Sequence, residues 1–104
     1  MEIFNLTKVF PKEETYSLID QIRRSSRSVA ANLGEAFRRR HYPKMLVSKI
    51  VDCESEAAET QVWLNFSCEC HYLDAPTAEK LKQDYEEILS MAVEMKLHPE
   101  RWQP

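Results

Sequence analysis

Apolar residues recur at alternating steps of three and four over three long stretches of the chain. Between residues 11 and 39 the stripe is Ile19, Ile22, Ser26, Val29, Leu33 and Ala36. Between 43 and 73 it is Leu46, Ile50, Cys53, Ala57, Thr60 and Leu64, and between 75 and 97 it is Ala78, Leu81, Tyr85, Ile88, Ala92 and Met95, widened by Leu89. Such spacing lays each set along one helical face and suits helices that cross at shallow angles. A weaker stripe of Ile3, Leu6, Val9 and Phe10 spans residues 1–10 and predicts a helix of about two turns. Serine, alanine and glycine at Ser25, Ser26, Ser28, Ala30, Ala31 and Gly34 leave room for close helix approach.

The breaks between stripes carry helix punctuation. Pro11, followed by Lys12-Glu13-Glu14, starts a helix with acids beside its positive dipole end. Pro43 restarts the chain after Arg38-Arg39-Arg40-His41 and holds Tyr42 out of the α region. Asp74-Ala75-Pro76-Thr77 predicts a cap and an N-terminal proline for the last helix, and Leu97-His98-Pro99 ends it. Residues 98–104 form a tail that rests on the helices through Trp102. The expectation is a single all-α domain over residues 1–104: an antiparallel up-down four-helix bundle with a shortened first helix. A stub of roughly ten residues covers about 15 Å of a bundle some 40 Å long. The uncovered apolar strip needs another copy to shield it, so the chain is expected to self-associate.

Composition agrees with helices. One glycine and five prolines in 104 residues are too few turn formers for a β-sandwich or an α/β fold. The net charge of −3 hides a division, because residues 12–44 hold eight Lys and Arg against four Asp and Glu, while 45–104 hold five against twelve. One basic surface on an acidic molecule follows, rather than the uniformly basic chain of a nucleic-acid coat. Three cysteines and no signal peptide point to a reducing cytoplasm. No apolar run approaches the roughly 18 residues that a membrane span requires.

Candidate chemistry is mostly cationic. Arg38, Arg39, Arg40, His41 and Lys44 crowd the connection between the second and third helices, where phosphate or partner contact competes with a plain solvated loop. Arg23, Arg24 and Arg27 widen that patch, or pair with acids on neighbouring helices; the second reading is preferred, since interface arginines need carboxylate partners. Glu35, Glu56 and Glu59 are the acids best placed for that role. Glu56-x-x-Glu59 lacks the histidine of a di-metal helix motif. Cys68 and Cys70 stand about 200° apart on a helix and cannot chelate one ion together. Ser25, Ser26 and Ser28 have no histidine nearby and no glycine elbow. Trp63, Phe66, Tyr72, Tyr85 and Trp102 read as core or interface. No enzyme activity, metal or cofactor is expected.

Phe10-Pro11-Lys12-Glu13-Glu14, Gln21-Ile22-Arg23-Arg24-Ser25 and Asn32-Leu33-Gly34-Glu35, with Ser48-Lys49, Glu56, Glu59-Thr60 and Trp63-Leu64, resemble a four-helix-bundle family. It is the family known from proteins encoded in intervening sequences of 23S ribosomal RNA. The resemblance covers about residues 4–97 and implies a bundle assembled into a homopentameric ring. Relatives include accessory proteins of diversity-generating retroelements, which associate with a reverse transcriptase and nucleic acid. Two features depart from the family: its first helix begins well upstream of Met1, so the N-terminus is expected to be truncated or started late, and Ala36 replaces a usual glycine. The function implied is a cytoplasmic, non-enzymatic, oligomeric scaffold that binds RNA, DNA or a reverse-transcriptase-like partner through the basic connection. The alternative is a purely structural self-assembling bundle whose arginines form inter-subunit salt bridges and which binds an unidentified protein.

Overall fold

The two longest helices each carry a proline in their first turn. The computed structural model describes residues 2–102, which contain four α-helices and no strand. They are α1 (Glu2–Thr7), α2 (Asp20–Arg38), α3 (Pro43–Glu69) and α4 (Ala75–Leu97), with a 3-10 turn at Pro99–Trp102. Met1 of the expected first helix, and the last two residues of the expected tail, lie outside the described residues.

Three local features differ from the sequence pattern. Between Pro11 and α2 the chain makes a 3-10 turn at Lys12–Glu14 and a single π turn at Thr15–Ile19, where a continuous helix from 11 was expected. The wider π turn brings the adjacent Leu18 and Ile19 both into the core, which a regular α turn does not favour. The third helix stops at Glu69 rather than near 73. His71 takes the left-handed conformation, φ 63°, and the Tyr72 N–H donates to the Ser67 carbonyl while the His71 N–H donates to that of Cys68. These two bonds make a Schellman stop, formed here without the usual glycine. Asp74 occupies the N-cap position of α4 in an extended conformation, but its side chain makes no capping hydrogen bond.

The buried faces follow the stripes closely in α3, where Leu46, Ile50, Cys53, Ala57, Thr60 and Leu64 are all fully buried. In α2 the slot expected for Ser26 is filled by Ser25, which is buried, while Ser26 is half-buried. Thr60 explains the choice: its Oγ1 lies 2.8 Å from Ser25 Oγ and 2.8 Å from the Glu56 carbonyl, so two small polar groups satisfy each other in the interior. In α4, Ala78, Leu81, Ala92 and Met95 are buried, whereas Tyr85, Ile88 and Leu89 are only half covered.

Late residues of α2 meet early residues of α3. Ala36 clusters with Leu46 and Ile50, Val29 with Cys53 and Ala57, and Ser25 reaches Thr60. Likewise, Gln61 Nε2 donates to the Lys82 carbonyl at 3.1 Å, and Lys96 Nζ lies 3.0 Å from Glu54. The molecule is a rod of 45 × 24 × 17 Å with a radius of gyration of 15.0 Å. A compact chain of this length would have about 13 Å. The short α1 sits at one end, joining Ile3 to Ile22, Leu64, Leu73 and Leu81. Beyond it an open furrow runs between α2 and α4, with Ala30, Leu33, Gly34 and Phe37 on one bank and Met91 and Met95 on the other. Trp102 closes the far end, its indole N–H without a hydrogen-bond partner among the described residues.

Candidate functional site

The arginines of α2 divide according to their position on the helix. Arg24 faces α3, where its guanidinium binds Glu59 and lies 3.2 Å from Glu56. Gln21 Oε1 also accepts from Arg24. The bond to Arg24 is the largest cause of a Glu59 carboxyl held below its ordinary value, and Trp63 Nε1 donates to the same carboxylate at 3.1 Å. Arg23 points the other way. Its Nε donates to Thr7 Oγ1 at 2.8 Å, and its guanidinium stacks 4.4 Å above the Phe4 ring. Arg27 lies 5.5 Å from the same ring. These two cations fasten α1 to α2 through an aromatic face rather than through acids.

Sequence reasoning passed over Phe4 because its neighbours are far away in the chain. The contact spans 19 residues and exists only once α1 has folded back along α2.

Around the α2–α3 connection the arrangement is different. Glu35 is the nearest acid, 4.0 Å from Arg38 and 3.5 Å from Arg39. Arg38 remains 81% exposed, so this ion pair leaves its charge available to solvent. Arg40 donates to the Phe37 carbonyl at 3.0 Å and stacks 4.4 Å over the Phe37 ring. His41 and Lys44 are exposed, as are the aromatic side chains of Phe37 and Tyr42. The signal for those two aromatics was legible in Phe37-Arg38-Arg39-Arg40-His41-Tyr42, where rings bracket the basic run.

The acids expected to act together do not all meet. Glu56 and Glu59 converge on Arg24, while Glu35 stays at the far end of α2 with Arg38 and Arg39. Among the described residues no three His, Cys, Asp or Glu side chains gather to hold an ion. Cys53 is buried, its thiol pushed up by desolvation, with Sγ 3.6 Å from the Val29 carbonyl. Cys68 is half-buried, Cys70 exposed, and all three cysteines are free thiols. No helix among the described residues is long and apolar enough to cross a membrane.

The cluster of Arg24, Ser25, Glu56, Glu59, Thr60 and Trp63 joins two segments distant in sequence. A family model described as 23S rRNA-intervening sequence protein matches residues 1–94. The chain belongs to that family. No curated protein and no solved structure matches the chain.

Proposed function

We propose that this member of the 23S rRNA-intervening sequence protein family is a non-enzymatic, self-associating scaffold. Its α2–α3 connection binds nucleic acid, or an enzyme of nucleic acid such as a reverse transcriptase. The observation that carries this reading is the composition of that connection. Arg38 and Arg39 have Glu35 as their ion-pair partner and keep much of their charge exposed, His41 and Lys44 are exposed, and the exposed rings of Phe37 and Tyr42 flank the run. Cations with adjacent aromatic faces suit a phosphate backbone and unstacked bases, with little preference for sequence.

In the same proposal the helices form an antiparallel up-down bundle, and copies close into a ring, a pentamer by family resemblance. The falling residue numbers on α3 that meet rising ones on α2 support the bundle. The open apolar furrow between α2 and α4 supports the ring, which would repeat the basic connection once per copy and multiply weak contacts. Free thiols suit a cytoplasmic location. For Arg24 the competing reading is better supported: two carboxylates of its own chain hold it, so it belongs to packing.

The test is retention of structured RNA on a filter. Binding is expected at low ionic strength, falling steeply as salt rises, with Arg39→Glu weakening it several-fold and lowering the salt slope by about one. If no RNA or DNA is retained even at low salt, the nucleic-acid reading fails.

A further inference from the structure

Among the described residues the exposed aromatic side chains are Tyr16, Phe37, Tyr42 and Phe66. Phe66 leans on Trp63, and Phe37 lies along the α2–α4 furrow with the Arg40 guanidinium 4.4 Å above its ring. Tyr16 follows Glu13 and Glu14, and it shares its groove with Asp20 and with arginines already engaged by Phe4, Glu56 and Glu59. Tyr42 alone of the four sits in a basic run with nothing of the described chain against it. It is 60% exposed; its ring meets no other ring or cation, and its hydroxyl makes no hydrogen bond. Its backbone, by contrast, is tied down. Pro43 keeps Tyr42 out of the α region, at φ −119° and ψ 92°. The Tyr42 N–H donates to the Arg39 carbonyl at 2.9 Å, and the Tyr42 carbonyl accepts from the Leu46 N–H at 2.9 Å.

The cations of the connection differ in how far they are committed. Arg40 donates to the Phe37 carbonyl and stacks on that ring, so it holds the connection together. Arg38 and Arg39 share Glu35 and keep 81% and 45% of their side-chain surface open. Lys44 is exposed and has no ion pair among the described residues. Three such charges hold a polyanion weakly by themselves, because salt competes for each contact.

We propose that the connection takes an unpaired strand rather than a duplex, with one base stacked on the Tyr42 ring and the flanking phosphates on Arg38, Arg39 and Lys44. The inference rests on the nucleic-acid reading of the same connection and names the form of nucleic acid that it takes. Inside a duplex each base is covered on both faces by its neighbours, and only its edges show in the grooves. A protein ring reaches a base face only where the strand is single, in a loop, a bulge or an end. Every base offers such a face, so one stacking ring selects the unpaired state and not the sequence. Arg38 and Arg39 precede the ring in the chain and Lys44 follows it, so a strand crossing the connection meets charge before and after the stacked base.

Fluorescence anisotropy of the full chain at low salt tests this, with a labelled oligonucleotide of about 12 residues that cannot pair with itself. The oligonucleotide is used alone, annealed to its complement, and in a form whose bases are replaced by abasic sugars. One series is RNA and another DNA, and the effect in either supports the inference. Wild type is expected to bind the intact single strand several-fold more tightly than the duplex and about tenfold more tightly than the abasic strand. Tyr42→Ala should lose that margin while helical circular dichroism and the salt slope stay unchanged, since no charge is removed. Tyr42→Phe should keep it, because the ring and not the hydroxyl makes the contact. Arg39→Glu should instead weaken all three forms and lower the slope by about one. A duplex or abasic strand held as tightly as the intact strand, or an undiminished margin in Tyr42→Ala, overturns the inference. The broader reading then still stands if binding falls with salt and with Arg39→Glu. No binding of any form at low salt removes both. If Tyr42→Ala lowers the oligomer mass while strand affinity holds, the ring belongs to a protein contact and the inference falls.

Discussion

Arg24 and Tyr72 are single side chains that join segments the chain keeps apart. Arg24 neutralises Glu56 and Glu59 at a half-exposed position, so Arg24→Ala is expected to cost only about 1 kcal/mol by chemical denaturation. The bond to Arg24 keeps the Glu59 carboxyl below its ordinary value, so its contribution is present above the unfolded carboxylate range and is lost as pH falls through the folded value. The Arg24→Ala protein should show a shallower acid transition. If that substitution instead splits the oligomer in size-exclusion while leaving monomer stability intact, Arg24 belongs to an interface. Tyr72 donates its hydroxyl to Glu14 at 2.9 Å, tying the α3–α4 turn to the segment before α2. That hydrogen bond is the main reason its phenol is pushed up to about 12. A folded value above the unfolded one means that the contribution is complete below about pH 10 and disappears as pH rises through 12. Ultraviolet titration should show the Tyr72 phenol titrating late and returned toward 10 by Glu14→Gln, whereas Tyr85, raised by its burial, does not respond to that change.

The boundaries of α3 show how far periodicity reaches at the scale of the element. Six of its seven buried positions were legible as steps of three and four, and the seventh, Ser67, was not named. The helix end was not legible, because the stop depends on two backbone hydrogen bonds and a left-handed His71 rather than on a glycine. A residue with a β-carbon pays about 1 kcal/mol or more for that conformation. His71→Gly is therefore expected to raise stability by roughly 0.5–1 kcal/mol, seen as a higher denaturant midpoint with unchanged slope. A fall in stability would mean that the imidazole makes a contact outweighing the strain. The π turn at Thr15–Ile19 escaped for a related reason: adjacent Leu18 and Ile19 are compatible with either an α stripe or a widened turn, and only packing against Phe10, Leu64 and Leu73 chooses.

Over the whole molecule, the short α1 leaves one corner open. Tyr85, Ile88 and Leu89 remain half-buried, and Leu33, Phe37 and Met91 line the furrow beside them. Placing a carboxylate there should not disturb the core, since Leu33 is only partly covered by its own chain. Leu33→Glu is expected to abolish the larger assembly at micromolar concentration, as judged by light scattering, while circular dichroism still reports a helical protein. If the variant keeps the wild-type mass, the furrow is not the surface through which copies meet. A wild-type chain that remains a stable 12.3 kDa particle would remove self-association altogether.

By itself the sequence determined the helices, their inward faces and the concentration of arginine near the α2–α3 connection. Those properties are local, since a repeat of 3.6 residues and a proline at a helix start act over a few neighbours. Which cation meets which group was decided only in three dimensions. Arg23, Arg24 and Arg27 look alike along the chain, yet their places around the helix send Arg24 to two carboxylates of α3 and the other two to the ring of Phe4. Ser25 and Ser26 were separated in the same way, by the position of Thr60. A helical stripe specifies a direction to within a residue, whereas hydrogen bonds between helices depend on their relative rotation and depth, which are fixed only when the whole core packs.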